Sequence, residues 1–258
     1  MCELCNKVLI STQPSESFPE FEKALHNSGA IVLNLPMISV SEATISENEK
    51  DLIQNINNFN WLVFTSKNGV KYLLKKYFEL TDNKVLPKNS KTAVIGKKTA
   101  NELIKNGITP TYISESNLAE IFSKELKEKV IEANSNILLL LGNLAGDLIE
   151  KTLKNHVITT RINCYENSIP KTLDLEIIKK INSDKYDLII FTSSSCFSNF
   201  AETLKNHNIQ IQNLRVASIG KSTTKTMKEY GVKPMFTAKQ SNIEGIVKEI
   251  KTLYKPNS

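Results

Sequence analysis

One pattern occurs twice in this chain, and it restricts the available folds more than composition does. Residues 91–107 read KTAVIGKKTANELIKNG, and residues 215–231 read RVASIGKSTTKTMKEYG. Each passes from a short apolar strand through Ile-Gly into a basic, Thr-bearing turn, then into a helix closed by Gly. The spacing is equal in the two copies, since 107 − 96 = 11 and 231 − 220 = 11. A repeated strand–glycine–helix unit is first a statement about architecture, because a unit of this size repeats only as part of a repeated fold.

The rest of the chain carries the same repetition. FNWLVFTSKNGVKYLL is echoed by YDLIIFTSSSCFSNFAETL, with Phe64 matching Phe191 at 191 − 64 = 127. The glycine units are offset by 220 − 96 = 124, and SNLAEIFSKEL at 116 matches SNIEGIVKEI at 241, offset 125. The opening β-α-β, with strands at 7–12 and 31–35, has its partner in 137–162 at an offset near 128. Apolar runs such as Ile137–Leu141 read as buried parallel strands, and Val70, Leu73, Leu74 and Tyr77 make one helical face. Leu118, Ile121, Phe122 and Leu126 make another, on a helix opened by Ser116.

Two sets of five strands alternating with helices imply an α/β protein of two flavodoxin-like parallel-sheet domains. By position alone the first β-α-β could pair with either half. An equal share of five strands favours residues 1–36 with 171–258 as one discontinuous domain. Residues 41–162 then form a second, inserted domain, with 37–40 and 163–170 as the linker segments.

Composition excludes several functions. The net charge of +6 is carried almost wholly by Lys, with Arg only at 161 and 215. The lysines are scattered along the sequence without a dense basic run, which argues against nucleic acid and suits a small polyanionic ligand. No apolar run is long enough for a membrane span and no secretory signal opens the chain, so a cytoplasmic protein is expected. Cys2 and Cys5 have C-x-x-C spacing, but no second pair or His cluster accompanies them, and they read as incidental thiols. Cys164 and Cys196 read as small core residues. His26, His156 and His207 fall near helix ends or loops, where a helix C-terminus favours them. No metal site or catalytic triad is expected.

In an open parallel sheet, ligands sit beyond the carboxyl ends of the strands. The turns predicted there are Thr65-Ser66-Lys67-Asn68, Gly96-Lys97-Lys98-Thr99, Gly142-Asn143, Thr192-Ser193-Ser194-Ser195 and Gly220-Lys221-Ser222-Thr223. Each leads into a helix N-terminus, whose free N–H groups favour anions. Their Ser and Thr residues could equally be caps alone. Together the five turns suggest an anion-binding cleft shared by two opposed jaws. Gly220-Lys221-Ser222 resembles the end of a P-loop, yet Arg215 stands where that motif needs Gly, and no G-x-G-x-x-G is present. An enzyme with this sequence would act mainly by holding a reactive substrate in shape.

The paired F-T-S turns, the paired I-G-x-x-T turns with downstream Gly, Tyr165 in the connector and S-N-I-E-G near the end resemble the uroporphyrinogen-III synthase family. The resemblance spans nearly the whole chain in the right order. It implies two flavodoxin-like domains on a two-stranded linker, with the N-terminal segment belonging to the C-terminal domain. It also implies cofactor-free dehydration and cyclisation of hydroxymethylbilane with inversion of ring D, in tetrapyrrole biosynthesis. By the same resemblance Tyr165 matches a linker tyrosine that assists departure of the hydroxyl, although an interdomain packing aromatic is the other reading. Thr99 and Thr223 match the threonines of the I-G turns, and Ser66 and Ser193 the serines of the F-T-S turns. The family commonly has Arg where Gln13 stands, often another at Leu141, and one near Asp147. Without those carboxylate clamps, contacts would fall to Lys67, Lys97 or Lys221. A monomer is expected, with transient handover from hydroxymethylbilane synthase. The alternative is a non-catalytic two-domain binder of a small polyanion, or a degenerate synthase-like module.

Overall fold

A computed structural model describes residues 3–87, 91–205 and 209–255. The chain opens with β1 (Val8–Ser11), α1 (Phe18–Leu25), β2 (Ile31–Asn34) and β3 (Ser39–Glu42). Next come α2 (Glu47–Gln54), β4 (Trp61–Phe64), α3 (Lys67–Thr81), β5 (Lys91–Ile95) and α4 (Gly96–Lys105). They are followed by β6 (Tyr112–Ser114), α5 (Ala119–Glu125), β7 (Asn136–Gly142), α6 (Leu148–Leu153) and β8 (Ile158–Ser168). The remainder is α7 (Leu175–Asn182), β9 (Leu188–Phe191), α8 (Ser194–Lys205), β10 (Val216–Ser218), α9 (Lys221–Glu229), β11 (Phe236–Thr237) and α10 (Ile243–Leu253).

These elements fall into two compact units, Met1–Ser39 with Ser168–Ser258, and Val40–Asn167. The first holds a five-stranded sheet in the order β11-β10-β9-β1-β2, all pairs parallel. Read from β2, that is the flavodoxin-like order 2-1-3-4-5. The second holds the order β3-β8-β7-β4-β5-β6. Its five strands from β8 to β6 are again parallel and occupy the same five places, with β7 and β8 standing where β1 and β2 stand in the first sheet. One spatial design is thus entered by the chain at two different points.

The apolar face of α3 is the one the periodicity predicts. In α3, Val70, Leu73, Leu74 and Tyr77 are buried against Leu62, Phe64, Leu138 and Leu140. The other face of that sheet is covered by Phe122, Leu126, Ile149 and Leu153. In the first unit Phe191 meets Phe197 and Phe200 edge to face, at 5.1 and 5.0 Å between ring centroids, a geometry that suits the ring quadrupoles.

Several expectations need correction. The second sheet has six strands, because Ser39–Glu42 pairs at its edge. β8 is longer than the strand read at 157–162: it runs on to Ser168 through residues taken as connector. Its added length is held partly by β3's side, where the Ala43 N–H donates to the Cys164 carbonyl at 3.3 Å. Ser116 is not the helix cap; its hydroxyl accepts from the Leu118 N–H at 3.1 Å, ahead of α5. Leu118 and Ile121 are exposed, and only Phe122 and Leu126 of that face are buried.

Cys5 is disulfide-bonded rather than an incidental thiol; Cys2 lies outside the described residues. Cys164 and Cys196 are free and buried. Burial pushes the Cys164 thiol up to about 12, with Glu49 adding to the effect, so it is an inert core group. His26 is the C-cap of α1, His156 Nε2 lies 2.9 Å from the Ile131 carbonyl oxygen, and His207 is outside the described residues.

Candidate functional site

In both units the candidate residues stand at the carboxyl ends of adjacent parallel strands. The second unit places Ser66–Asn68 after β4, Gly96–Thr99 after β5, Gly142 at the end of β7 and Tyr165 on β8. The Ser66 hydroxyl accepts from the Asn68 N–H at 3.0 Å and caps α3. Lys67 and Lys97 are exposed on the first turns of α3 and α4, whereas Thr99 is only 4% exposed.

Tyr165 sits in the apolar core of this unit, its ring stacked on Tyr72 at 6.2 Å between centroids. It covers Gly142 closely. A Cβ on Gly142 would lie 2.5 Å from Tyr165 Cζ and 2.8 Å from its hydroxyl oxygen, so only glycine leaves room for the phenol. The register explains how the two residues meet. Leu141 pairs with Asn163 but Gly142 pairs with Tyr165, leaving Cys164 as an extra residue in β8. That bulge puts Cys164 and Tyr165, adjacent in sequence, into the same core.

The first unit places Ser193–Ser195 after β9 and Gly220–Thr223 after β10. Ser193 Oγ accepts from the Cys196 N–H at 3.1 Å and lies 3.1 Å from Ser195 Oγ. Ser194 Oγ and Ser222 Oγ are 3.2 Å apart, which joins the F-T-S turn to the second glycine turn. Thr223 is buried, at 3% exposure. Its neighbour Thr224 belongs to a hydroxyl chain, 2.6 Å from both Ser218 Oγ and Thr237 Oγ1.

Beside these hydroxyls lies an open hollow of about 750 Å³ whose wall includes Lys221, Lys225, Lys228 and Lys239 with Ser222 and Thr224. The lysines are scattered along the sequence, and folding gathers four of them here. Positions 221, 225 and 228 follow helical spacing on α9, so the signal was present as an i, i+4, i+7 stripe. None of the four has an acidic partner among the described residues, while Lys124, Lys179 and Lys205 are paired with glutamates one turn away on their own helices. Uncompensated ammonium groups around a hollow favour an anionic occupant.

The three positions lacking arginine also have clear settings. Gln13 is buried and donates through Nε2 to the Ser17 carbonyl at 3.2 Å. Leu141 is buried in the core. Asp147 is the N-cap of α6 and pairs with Lys151 at 2.9 Å, which holds its carboxyl below the usual range. Sequence reasoning passed over Arg161, which faces the loop after β7. Among the described residues no cluster of His, Cys, Asp and Glu could hold a metal, and no helix is long and apolar enough to cross a membrane.

The family model for uroporphyrinogen-III synthase HemD matches residues 19–248. A Methanocaldococcus jannaschii protein, provisionally named a uroporphyrinogen-III synthase, is 29% identical over 252 residues, covering 96% of this chain and 98% of that protein. The uroporphyrinogen-III synthase of Synechococcus elongatus is 23% identical over 251 residues, covering 95% and 94%. Among solved structures, the uroporphyrinogen-III synthetase of Helicobacter pylori aligns with a TM-score of 0.61 at 20% identity, covering 96% of this chain and 99% of that one. That last likeness speaks to the fold.

Proposed function

From the membership of this chain in the uroporphyrinogen-III synthase family, we propose that it converts hydroxymethylbilane to uroporphyrinogen III without a cofactor. The observation that carries this reading is the family match across residues 19–248. The reaction removes the terminal hydroxyl as water to give an azafulvene. Attack through the substituted carbon of ring D makes a spiro intermediate, which reopens and recloses with that ring inverted. Because the linear tetrapyrrole closes unaided to the uninverted isomer, the protein's task is geometry rather than a strong acid, base or metal.

The substrate carries eight carboxylates, and the hollow beside α9 supplies four ammonium groups with no acidic partner among the described residues. In the proposal Lys221 and Ser222 bind carboxylate, together with Ser193–Ser195, Gly220, Lys67, Asn68 and Lys97. Thr99 and Thr223, being buried, fix the turns that carry those contacts, and Ser66 caps α3 from beneath. Tyr165 donates a hydrogen bond to the departing hydroxyl, and Gly142 makes the space for its ring. We take the two compact units as the family's two domains, with the chain crossing between them at residues 39–40 and 167–168. A monomer that receives its substrate from hydroxymethylbilane synthase completes the proposal. The family match does not favour a non-catalytic binder.

The decisive experiment incubates the protein with enzymatically generated hydroxymethylbilane and separates the isomers after oxidation. A predominance of the type III isomer is expected; type I alone would remove the assignment. Tyr165→Phe is expected to lose most of its turnover while keeping its urea midpoint, and parental turnover would take Tyr165 out of the mechanism.

A further inference from the structure

We infer that Arg161 is the positioning residue that sets Tyr165 against Gly142, a role that rests on the catalytic use of Tyr165 proposed above. The chain has 33 Lys and Arg residues, of which only Arg161 and Arg215 are Arg. A planar fork of five donors is what distinguishes Arg from Lys, and at position 161 the whole fork is used. Nε donates to Asn163 Oδ1 at 3.0 Å. Nη1 donates to Glu150 Oε1 at 2.9 Å and to the Gly146 carbonyl at 3.3 Å. Nη2 donates to the carbonyls of Ala145 at 2.8 Å and Gly142 at 3.2 Å.

Five donors thus meet five acceptors within the protein. A guanidinium so engaged has no N–H left for a substrate carboxylate, which separates Arg161 from a clamp. Its work is to gather three carbonyls of the loop between β7 and α6. Gly142 is then held on two sides, by Arg161 at its carbonyl and by the Tyr165 ring over its Cα. The same loop is tied to β8 again just past the tyrosine. The Asn143 N–H donates to the Tyr165 carbonyl at 3.1 Å, and its side chain exchanges two hydrogen bonds with the Asn167 backbone, at 2.8 and 3.2 Å. Arg161 and Asn143 therefore bracket Tyr165 along the strand and fix the bulge that brings it level with Gly142. Lysine would keep the charge but could not span the acceptors.

The test combines ring NMR with kinetics on the full chain. With ¹³C-labelled tyrosine, the Tyr165 signal is identified by its loss in Tyr165→Phe. Arg161→Lys and Arg161→Gln should both move that signal, whereas Lys151→Ala, on the exposed side of α6, should not. Turnover of Arg161→Lys should fall by about tenfold to a hundredfold, with KM within about twofold and a raised share of type I product. In the Tyr165→Phe background the same change should cost nothing further, since coupled residues give non-additive losses. An unmoved Tyr165 signal in both Arg161 variants, or losses that multiply in the double variant, would overturn the inference. If Tyr165→Phe itself turns over like the parent, the catalytic reading of Tyr165 falls. The NMR shift then decides the positioning role by itself, a moved signal upholding it and an unmoved one overturning it.

Discussion

At Gly96 the backbone turns with φ at +70° and α4 starts on the glycine, whereas at Gly220 φ is −173° and glycine stands one place ahead of α9. Different neighbours fill the space over each glycine: Asn117 Oδ1 lies 2.5 Å from where a Cβ on Gly96 would be, and Ser241 Oγ lies 2.5 Å from that of Gly220. Both neighbours come from the repeated Ser-Asn pair, but from different members of it. In the second copy Asn242 instead caps α10, accepting from the Gly245 N–H at 2.8 Å. The helices that follow diverge as well, for Lys225 and Lys228 stand where the offset of 124 puts Asn101 and Ile104 in α4. The repeat preserves strand order and glycine placement while leaving the ligand chemistry of each turn free to change.

The comparison breaks first at the glycines. Gly96→Ala forces a side chain into left-handed backbone and should destabilise by about 2 kcal/mol in urea unfolding. Gly220→Ala, in extended backbone that any residue adopts, should cost well under half of that; equal losses would show that the turns are alike. The lysine stripe comes next. Lys225→Glu with Lys228→Glu should raise KM for hydroxymethylbilane about tenfold, or about 1.4 kcal/mol, with the excess shrinking as salt is added. Asn101→Glu in α4 should leave KM unchanged. The serine caps should be closer to equal: Ser66→Ala and Ser193→Ala are each expected to cost about 1 kcal/mol.

The smallest effect concerns the edge strand found only in the second sheet. Glu42 on β3 pairs with Lys75 at 2.6 Å and with Lys76, both on α3. The hydrogen bonds from Lys75 and Lys76 hold its carboxyl below the ordinary value of 4.5. A depressed carboxyl stabilises above the unfolded value and loses that contribution as pH falls through the folded one. Glu42→Gln should therefore lower stability by about 0.5 kcal/mol near neutrality, with the difference fading below pH 4.5. A gap that persists at low pH would assign the effect to packing.

Where sequence was a good guide, a single periodicity governed a whole element. Trp61–Phe64 and the buried face of α3 were legible because an apolar run and a helical stripe each leave a local mark. The polar half of β8 was not, since Asn163, Glu166 and Asn167 carry no strand alternation and pair only because the fold brings β3 and β7 alongside. The bulge at Cys164 was invisible for the same reason: an extra residue in a strand is defined by its partner. Tyr165 was found by motif, but its contact with Gly142 depends on that bulge. The four lysines of the hollow come from α9 and from beyond β11, and the fork of Arg161 could be valued only once its five acceptors were in place.

The entry point of the chain into each sheet has a temporal consequence. All five parallel strands of the inserted unit are made between residues 61 and 168, so it can complete its sheet during synthesis. β1 pairs on one side with β2 but on the other with β9, Leu9 meeting Leu188. At ribosomal rates the wait for β9 after β2 is roughly 10–30 s, during which the unpaired N–H and C=O groups along that edge of β1 stand open to wrong partners. β1 is thus enclosed long after it is made, and chaperone demand during synthesis should centre on residues 8–34 rather than on the later, uninterrupted unit.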